Sequence, residues 1–205
     1  ALRIAGGYPG VKLQGLPQIT STKAVALSAS ALIALTRAGE AQARSEGEPL
    51  IARILRARDP RTSLWTADFE YTIRGSIVTP DEICTINSVF CAEAIWEWYW
   101  LTGDSGAAAA IVSAAEGMVE HVPKLRDKSG IAFTYSPGTE YYVHNSNALI
   151  AVLLARAAEL GGGRDDLREI GAGCIRRVLE DMDQVGVLRY AGEPTPHDRV
   201  DNYHT

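Results

Sequence analysis

Tyr141-Tyr142-Val143-His144-Asn145-Ser146-Asn147-Ala148-Leu149 carries the chain from an aromatic, polar approach straight into an apolar segment. Downstream of it Leu149, Val152, Leu153, Leu154 and Ala157 recur at three- and four-residue spacing until Gly161-Gly162-Gly163 ends the pattern. That spacing predicts a helix beginning at Asn145 or Ser146, since either side chain can cap a first turn. Similar junctions occur at Tyr8 to Thr20 and at Tyr71 to Thr79, and another opens at Tyr190 and closes the sequence as Asp201-Asn202-Tyr203-His204-Thr205. Four polar, aromatic approach loops therefore each lead into, or stop at, the start of a helix.

The first helix is expected from Thr20 or Ser21 to Arg37, with Leu27, Ala31 and Leu35 on one stripe, Ala24, Ser28 and Leu32 between them, and Gly39 as its C-terminal cap. Apolar almost all round, it reads as an inner helix. Ser45-Glu46-Gly47-Glu48 is a capping box with Pro49 in the first turn, and Leu50, Ile51, Ile54 and Leu55 form a single stripe before Asp59-Pro60, the pattern of an outer helix. Trp65 to Val78 reads as a loop, and Thr79-Pro80-Asp81-Glu82 predicts that helix three runs from Pro80 to about Leu101. Asp104 caps helix four, which Pro123 breaks; Lys124 to Gly130 reads as a turn and Ile131 to Tyr135 as a short strand. Helix six is expected over Asp165 to Met182 with Leu167, Ile170, Ala172, Ile175, Val178 and Leu179 inward. The order is loop, inner helix, outer helix, three times over, with a fourth cycle begun. Because each hairpin runs up and down, its approach loops share one end. The expectation is an all-α single domain over residues 1–205 with its chemistry at that end, where loops meet positive helix N-termini.

Composition narrows the partners. The 205 residues carry a net charge of −5 with acidic and basic side chains mixed, so no basic patch is available for a phosphate backbone and nucleic acid is not expected. No apolar run is long enough for a bilayer, and Ala1-Leu2-Arg3-Ile4 lacks the hydrophobic segment of a signal peptide, which points away from membrane insertion. Cys84, Cys91 and Cys174 are odd in number without CxxC pairing, so unpaired, buried thiols and a cytoplasmic setting are expected. Neither a metal nor a cofactor is expected: no histidine stands at ligand spacing beside the cysteines, and no phosphate loop or dinucleotide glycine pattern is present. Asp165-Asp166-Leu167-Arg168-Glu169 mimics a magnesium-binding pattern, but favourable charge in a helix's first turn accounts for it.

Gly7-Tyr8-Pro9, Tyr135-Ser136-Pro137 followed by Val143 to Ala148, and Asp201 to Thr205 together resemble the six-hairpin glycosidase-like superfamily, and within it a bacterial subgroup associated with exopolysaccharide or capsule biosynthesis. The resemblance is diffuse over the chain and sharpest in the last two segments. It implies an (α/α) toroid of helical hairpins, of which this chain holds three and the start of a fourth, and a saccharide or polysaccharide as partner. The family's Asp-Asn-aromatic-His-Thr segment is normally followed by a further inner helix, so the chain is expected to stop inside the fold.

Hydrolysis of a glycosidic bond needs two opposed carboxyl groups, one held protonated and one ionised. The loops offer Asp68, Glu70, Glu140, Glu193, Asp198 and Asp201, of which Asp201 and Glu140 are the candidate catalytic pair; Asp201 is equally suited to cap a helix. His144 and His204 occupy matching places in two cycles and can orient a hydroxyl or relay a proton. Tyr8, Tyr71, Tyr135, Tyr142 and Tyr203 offer flat faces with polar edges for a sugar ring, and Asp68, Arg74, Asn145, Asn147 and Asn202 offer polar contacts. Two other functions fit the same residues: a lyase or epimerase using Tyr142 and His144 as acid and base with an arginine such as Arg74 nearby, and a non-catalytic helical repeat that binds a saccharide or a protein.

Overall fold

The computed structural model describes residues 20–73 and 76–192. Among these residues six helices dominate: α1 (Thr22–Arg37), α2 (Ala41–Arg56), α3 (Thr85–Thr102), α4 (Ser105–His121), α5 (His144–Leu160) and α6 (Asp165–Glu180). Two short antiparallel hairpins, β1 (Tyr71–Ile73) with β2 (Ser76–Val78) and β3 (Lys124–Asp127) with β4 (Gly130–Phe133), stand where the sequence reads mostly as loop and turn. The predicted all-α class holds for the bulk of the chain. Among the described residues no helix is long and apolar enough to cross a membrane.

Consecutive helices pair as α1/α2, α3/α4 and α5/α6, and α3 lies between α1 and α5. The even-numbered helices pack on odd-numbered ones rather than on each other to any comparable extent. The core follows from that order: Val25, Ala29 and Ile33 of α1, Ile51 and Ile54 of α2, Cys91, Ala94 and Ile95 of α3, Ile111 and Met118 of α4, and Leu154 and Ala157 of α5 are all buried in one cluster. Trp65 is 1% exposed beneath α2, and its indole N–H donates to the Ile54 carbonyl at 2.8 Å. The three cysteines are free and buried, as their spacing predicts, and burial pushes the Cys174 thiol up to about 12.

Several boundaries and faces differ from the sequence reading. α1 buries Val25, Ala26, Ala29 and Ile33, and leaves Leu27 and Leu35 about half exposed, because α2 and α3 both lie on the first face. α2 starts at Ala41, ahead of the expected capping box: Ser45 Oγ donates to the Gln42 carbonyl inside the helix at 2.8 Å, and Pro49 sits within it. Proline forfeits one helical hydrogen bond there, and burial of Ile51 and Ile54 on the core offsets the loss. Thr79 to Glu82 does form a reciprocal turn, with the Thr79 N–H donating to Glu82 Oε2 at 3.4 Å. The chain then straightens, since Ala67 N–H donates to the Glu82 carbonyl and Cys84 N–H to the Trp65 carbonyl, both at 2.9 Å, so α3 begins only at Thr85. On α6 the buried face is Leu167, Gly171, Cys174 and Val178; Ile175 and Leu179 point outward, 38% and 55% exposed. The β3–β4 hairpin claims the buried side: a Cβ on Gly130 would stand 2.4 Å from the Gly173 carbonyl oxygen, so only glycine lets the strand approach the helix this closely.

Candidate functional site

The N-termini of α1, α3 and α5 gather at one end of the helices, and side-chain bonds between the approach loops hold them there. Asp68 joins the first two: Oδ2 accepts from the Thr22 backbone N–H at 2.8 Å and from Asn87 Nδ2 at 3.2 Å, while Oδ1 accepts from the Thr22 hydroxyl. An oxygen acceptor suits this position, since a helix start leaves backbone N–H groups without partners in the helix. The loop before α5 joins the loop before α3 through Glu82, whose Oε1 accepts from the Gly138 N–H at 3.0 Å.

Tyrosines cover the seam. The hydroxyls of Tyr71 and Tyr135 share a hydrogen bond, Tyr71 also meets Cys84 Sγ at 3.6 Å, and Tyr135 stacks on Tyr141 with ring centroids 6.2 Å apart and planes 15° from parallel. Desolvation is the main reason the phenols of Tyr71 and Tyr135 are pushed far above their ordinary range, so both stay neutral. Both residues are half-buried, leaving part of each ring at the surface.

A second cluster lies under the α5 start. Tyr142 and His144, both 2% exposed, meet on Asp181 at the end of α6: the Tyr142 hydroxyl donates to Asp181 Oδ2, and His144 Nε2 lies 3.0 Å from the same oxygen. Arg177 Nε donates to the Tyr142 hydroxyl at 2.8 Å, and its Nη1 pairs with Asp127 of β3. The other histidine nitrogen, Nδ1, stands 2.7 Å from the Arg189 carbonyl oxygen. Both ring nitrogens thus face oxygen atoms, one on each side of the imidazole. The segment Tyr190 to Gly192 lies over this cluster, with Val143 bridged to Ala191 and Gly192 against Tyr142, where a Cβ would come 1.7 Å from the phenol ring.

Of the residues singled out from sequence, Asp68, Tyr71, Tyr135, Tyr142 and His144 are joined by the loop contacts above. Asn145 is half-buried in the first turn of α5, and Glu140 is exposed. Asn147 is 1% exposed and committed to backbone: Oδ1 accepts from the Phe133 N–H at 2.7 Å, and Nδ2 donates to the carbonyls of Phe133 and Val143 at 3.0 and 3.1 Å. Tyr8, Arg74, Asp201, Asn202, Tyr203 and His204 lie outside the described residues, so the pairing of Asp201 with Glu140 does too. Sequence reasoning missed Arg177 and Asp181, although their i,i+4 spacing at the end of a helix is a legible signal of a paired cation and carboxylate. It also missed three hydroxyls at this end, Thr85 Oγ1, Ser136 Oγ and Ser146 Oγ, which are buried without a hydrogen-bond partner. Compared with known proteins, the chain matches no family model, no curated protein and no solved structure.

Proposed function

We propose that the chain is a carbohydrate-active protein of polysaccharide metabolism, an (α/α) toroid-type assembly of hairpins that handles a saccharide at the N-terminal ends of its inner helices α1, α3 and α5. The observation that carries this reading is the seam of Tyr71, Tyr135 and Tyr141, bridged across two approach loops at one end of the helices. Partly exposed tyrosine rings give a pyranose an apolar face to stack on and hydroxyls to bond. The reaction is glycoside hydrolase-like. Glu140, exposed at the seam, supplies one carboxylate and Asp201 the other, with one protonating the leaving oxygen while the other attacks or activates water.

A second chemistry, elimination or epimerisation, is favoured by one observation: Tyr142, His144 and Arg177 stand together at this end. As placed, Tyr142 is a proton donor rather than a base, since desolvation and the Asp181 carboxylate keep its phenol protonated, and the Tyr190 to Gly192 segment shields it. This route therefore requires that segment to swing away. Incubating the protein with bacterial exopolysaccharides separates the two, because hydrolysis releases saturated reducing ends and elimination releases an unsaturated, ultraviolet-absorbing uronate. The hydrolase reading expects the first product and its loss in Glu140→Gln; the second product, or full activity in that variant, overturns it.

A further inference from the structure

At the opposite end of the same three helices from the described approach loops lies a hollow of about 390 Å³ lined by Arg37 of α1, Glu93, Trp96, Glu97 and Trp100 of α3, and Arg156 of α5. That volume falls in the range of about 300–1,000 Å³ typical of small-molecule sites. A second hollow of about 270 Å³ adjoins it along the same tryptophans and reaches Tyr99, Gly103 and Glu159. The wall between them is Trp96 and Trp100, edge to face at 5.7 Å and 73°, and Trp100 is 62% exposed. A tryptophan so exposed at a helix end leaves a large apolar face in water, which a packed core would not do.

The charged residues around it are held in place. Glu93 takes the Arg156 guanidinium in a two-pronged ion pair, with Arg156 Nη2 donating to Oε1 at 3.0 Å, and the same guanidinium lies 4.8 Å from the Trp96 ring centre. Arg37 Nη2 donates to the Glu97 backbone carbonyl at 3.2 Å, which leaves the Glu97 side chain out of that bond, and its Oε2 is buried with no hydrogen-bond partner. Two cations and two carboxylates line the hollow, so its formal charge balances. An anion or a cation would meet like charge there as readily as opposite charge. A neutral ring with one apolar face and a rim of hydroxyls meets an indole and donors on both arginines.

We propose that this groove is a second saccharide site, in which neighbouring rings of one neutral oligosaccharide occupy the two hollows on either side of the Trp96–Trp100 wall. It rests on the reading of the chain as carbohydrate-active and adds to it an anchoring site remote from the tyrosine seam. In such an arrangement the anchor holds a long polymer by stacking while the loop end works on it, so each raises the local concentration of substrate for the other.

The test is a panel of neutral oligosaccharides and polymers titrated by calorimetry into the full chain, into Trp100→Ala, Trp100→Tyr and Tyr141→Ala, with light scattering on each. The expected result is a neutral glycan whose affinity falls at least tenfold in Trp100→Ala and recovers in Trp100→Tyr, with a separate loss in Tyr141→Ala, under conditions where all variants melt alike. Binding lost in Tyr141→Ala but kept in Trp100→Ala overturns the second site and leaves the proposed function standing. Loss only in the Trp100 variant keeps the groove and removes the seam. If no neutral glycan binds, both fall. If Trp100→Ala instead turns a dimer into a monomer, the groove is a contact between copies of the chain and the saccharide assignment is overturned.

Discussion

His144 places one ring nitrogen 3.0 Å from Asp181 Oδ2 and the other 2.7 Å from the Arg189 carbonyl oxygen, tying the start of α5 both to the end of α6 and to the segment beyond it. Removing the ring leaves a carboxylate and a carbonyl short of a donor in a site 2% exposed. His144→Ala is expected to lower the unfolding free energy by about 1–3 kcal/mol in urea. It should also speed proteolytic cleavage near Arg189, since one of the anchors of that segment is gone. Unchanged stability and unchanged cleavage together would show that the bridge holds nothing.

Asn147 makes three bonds to backbone, two of them to Phe133, and so couples the last strand residue of β4 to the first turn of α5. Asn147→Ala should cost about 2–3 kcal/mol. Asn147→Asp should be almost as damaging at neutral pH, because a carboxylate cannot donate to the Phe133 and Val143 carbonyls. A saccharide-contacting asparagine would instead lose affinity while the urea midpoint held.

Burial raises the phenols of Tyr71 and Tyr135 in the folded chain well above the value of about 10 they have when unfolded. A group raised in this way contributes stability that is complete below the unfolded value and is lost as pH climbs from there toward the folded one. Unfolding free energy should therefore be flat with respect to these two groups up to about pH 10 and fall above it. The double variant Tyr71→Phe, Tyr135→Phe should remove part of that alkaline slope, which is read from urea titrations at successive pH values. An identical slope in the variant would mean that other groups cause it.

Asp68 caps α1 from a distance, and Asp68→Ala should lower stability by about 1 kcal/mol, within the usual range for a lost helix cap. Saccharide affinity should stay within threefold of the parent. A tenfold loss of affinity at unchanged melting temperature would move Asp68 from cap to ligand contact.

Much of the architecture was legible because its signals are local. Ser21 and Asp104 cap helices as read, Gly103 and the glycines from Gly161 end them, and Ala- and Leu-rich segments formed the expected hairpins. Which face of a helix is buried depends on neighbours that periodicity does not name. α1 carries two apolar stripes, and only the position of α2 and α3 selects Val25, Ala29 and Ile33 over Leu27 and Leu35. Start signals likewise yielded to pairing between distant segments: the Thr79 box forms its turn, but the bridge between Thr66 and Ile83 keeps the chain extended until Cys84. The tyrosine seam could be anticipated from the recurrence of aromatic approach loops. The tryptophan groove could not, because the run from Trp96 to Trp100 points around the helix and only the neighbouring helices decide which ring stays uncovered, here Trp100 at 62% exposed.

The bond from Asp68 to Thr22 spans 46 residues, and its partner Asn87 lies another 19 along. As the chain leaves the ribosome, N-terminus first, α1 can form its later turns and acquire the Ser21 cap long before its remaining first-turn donors have anywhere to go. Those donors are matched only once the loop carrying Asp68 has emerged, and that loop is fixed only once the start of α3 has followed it. The start of α1 therefore trades water for Asp68 only when the second hairpin is in place, so the capped form of the first helix reports on the second.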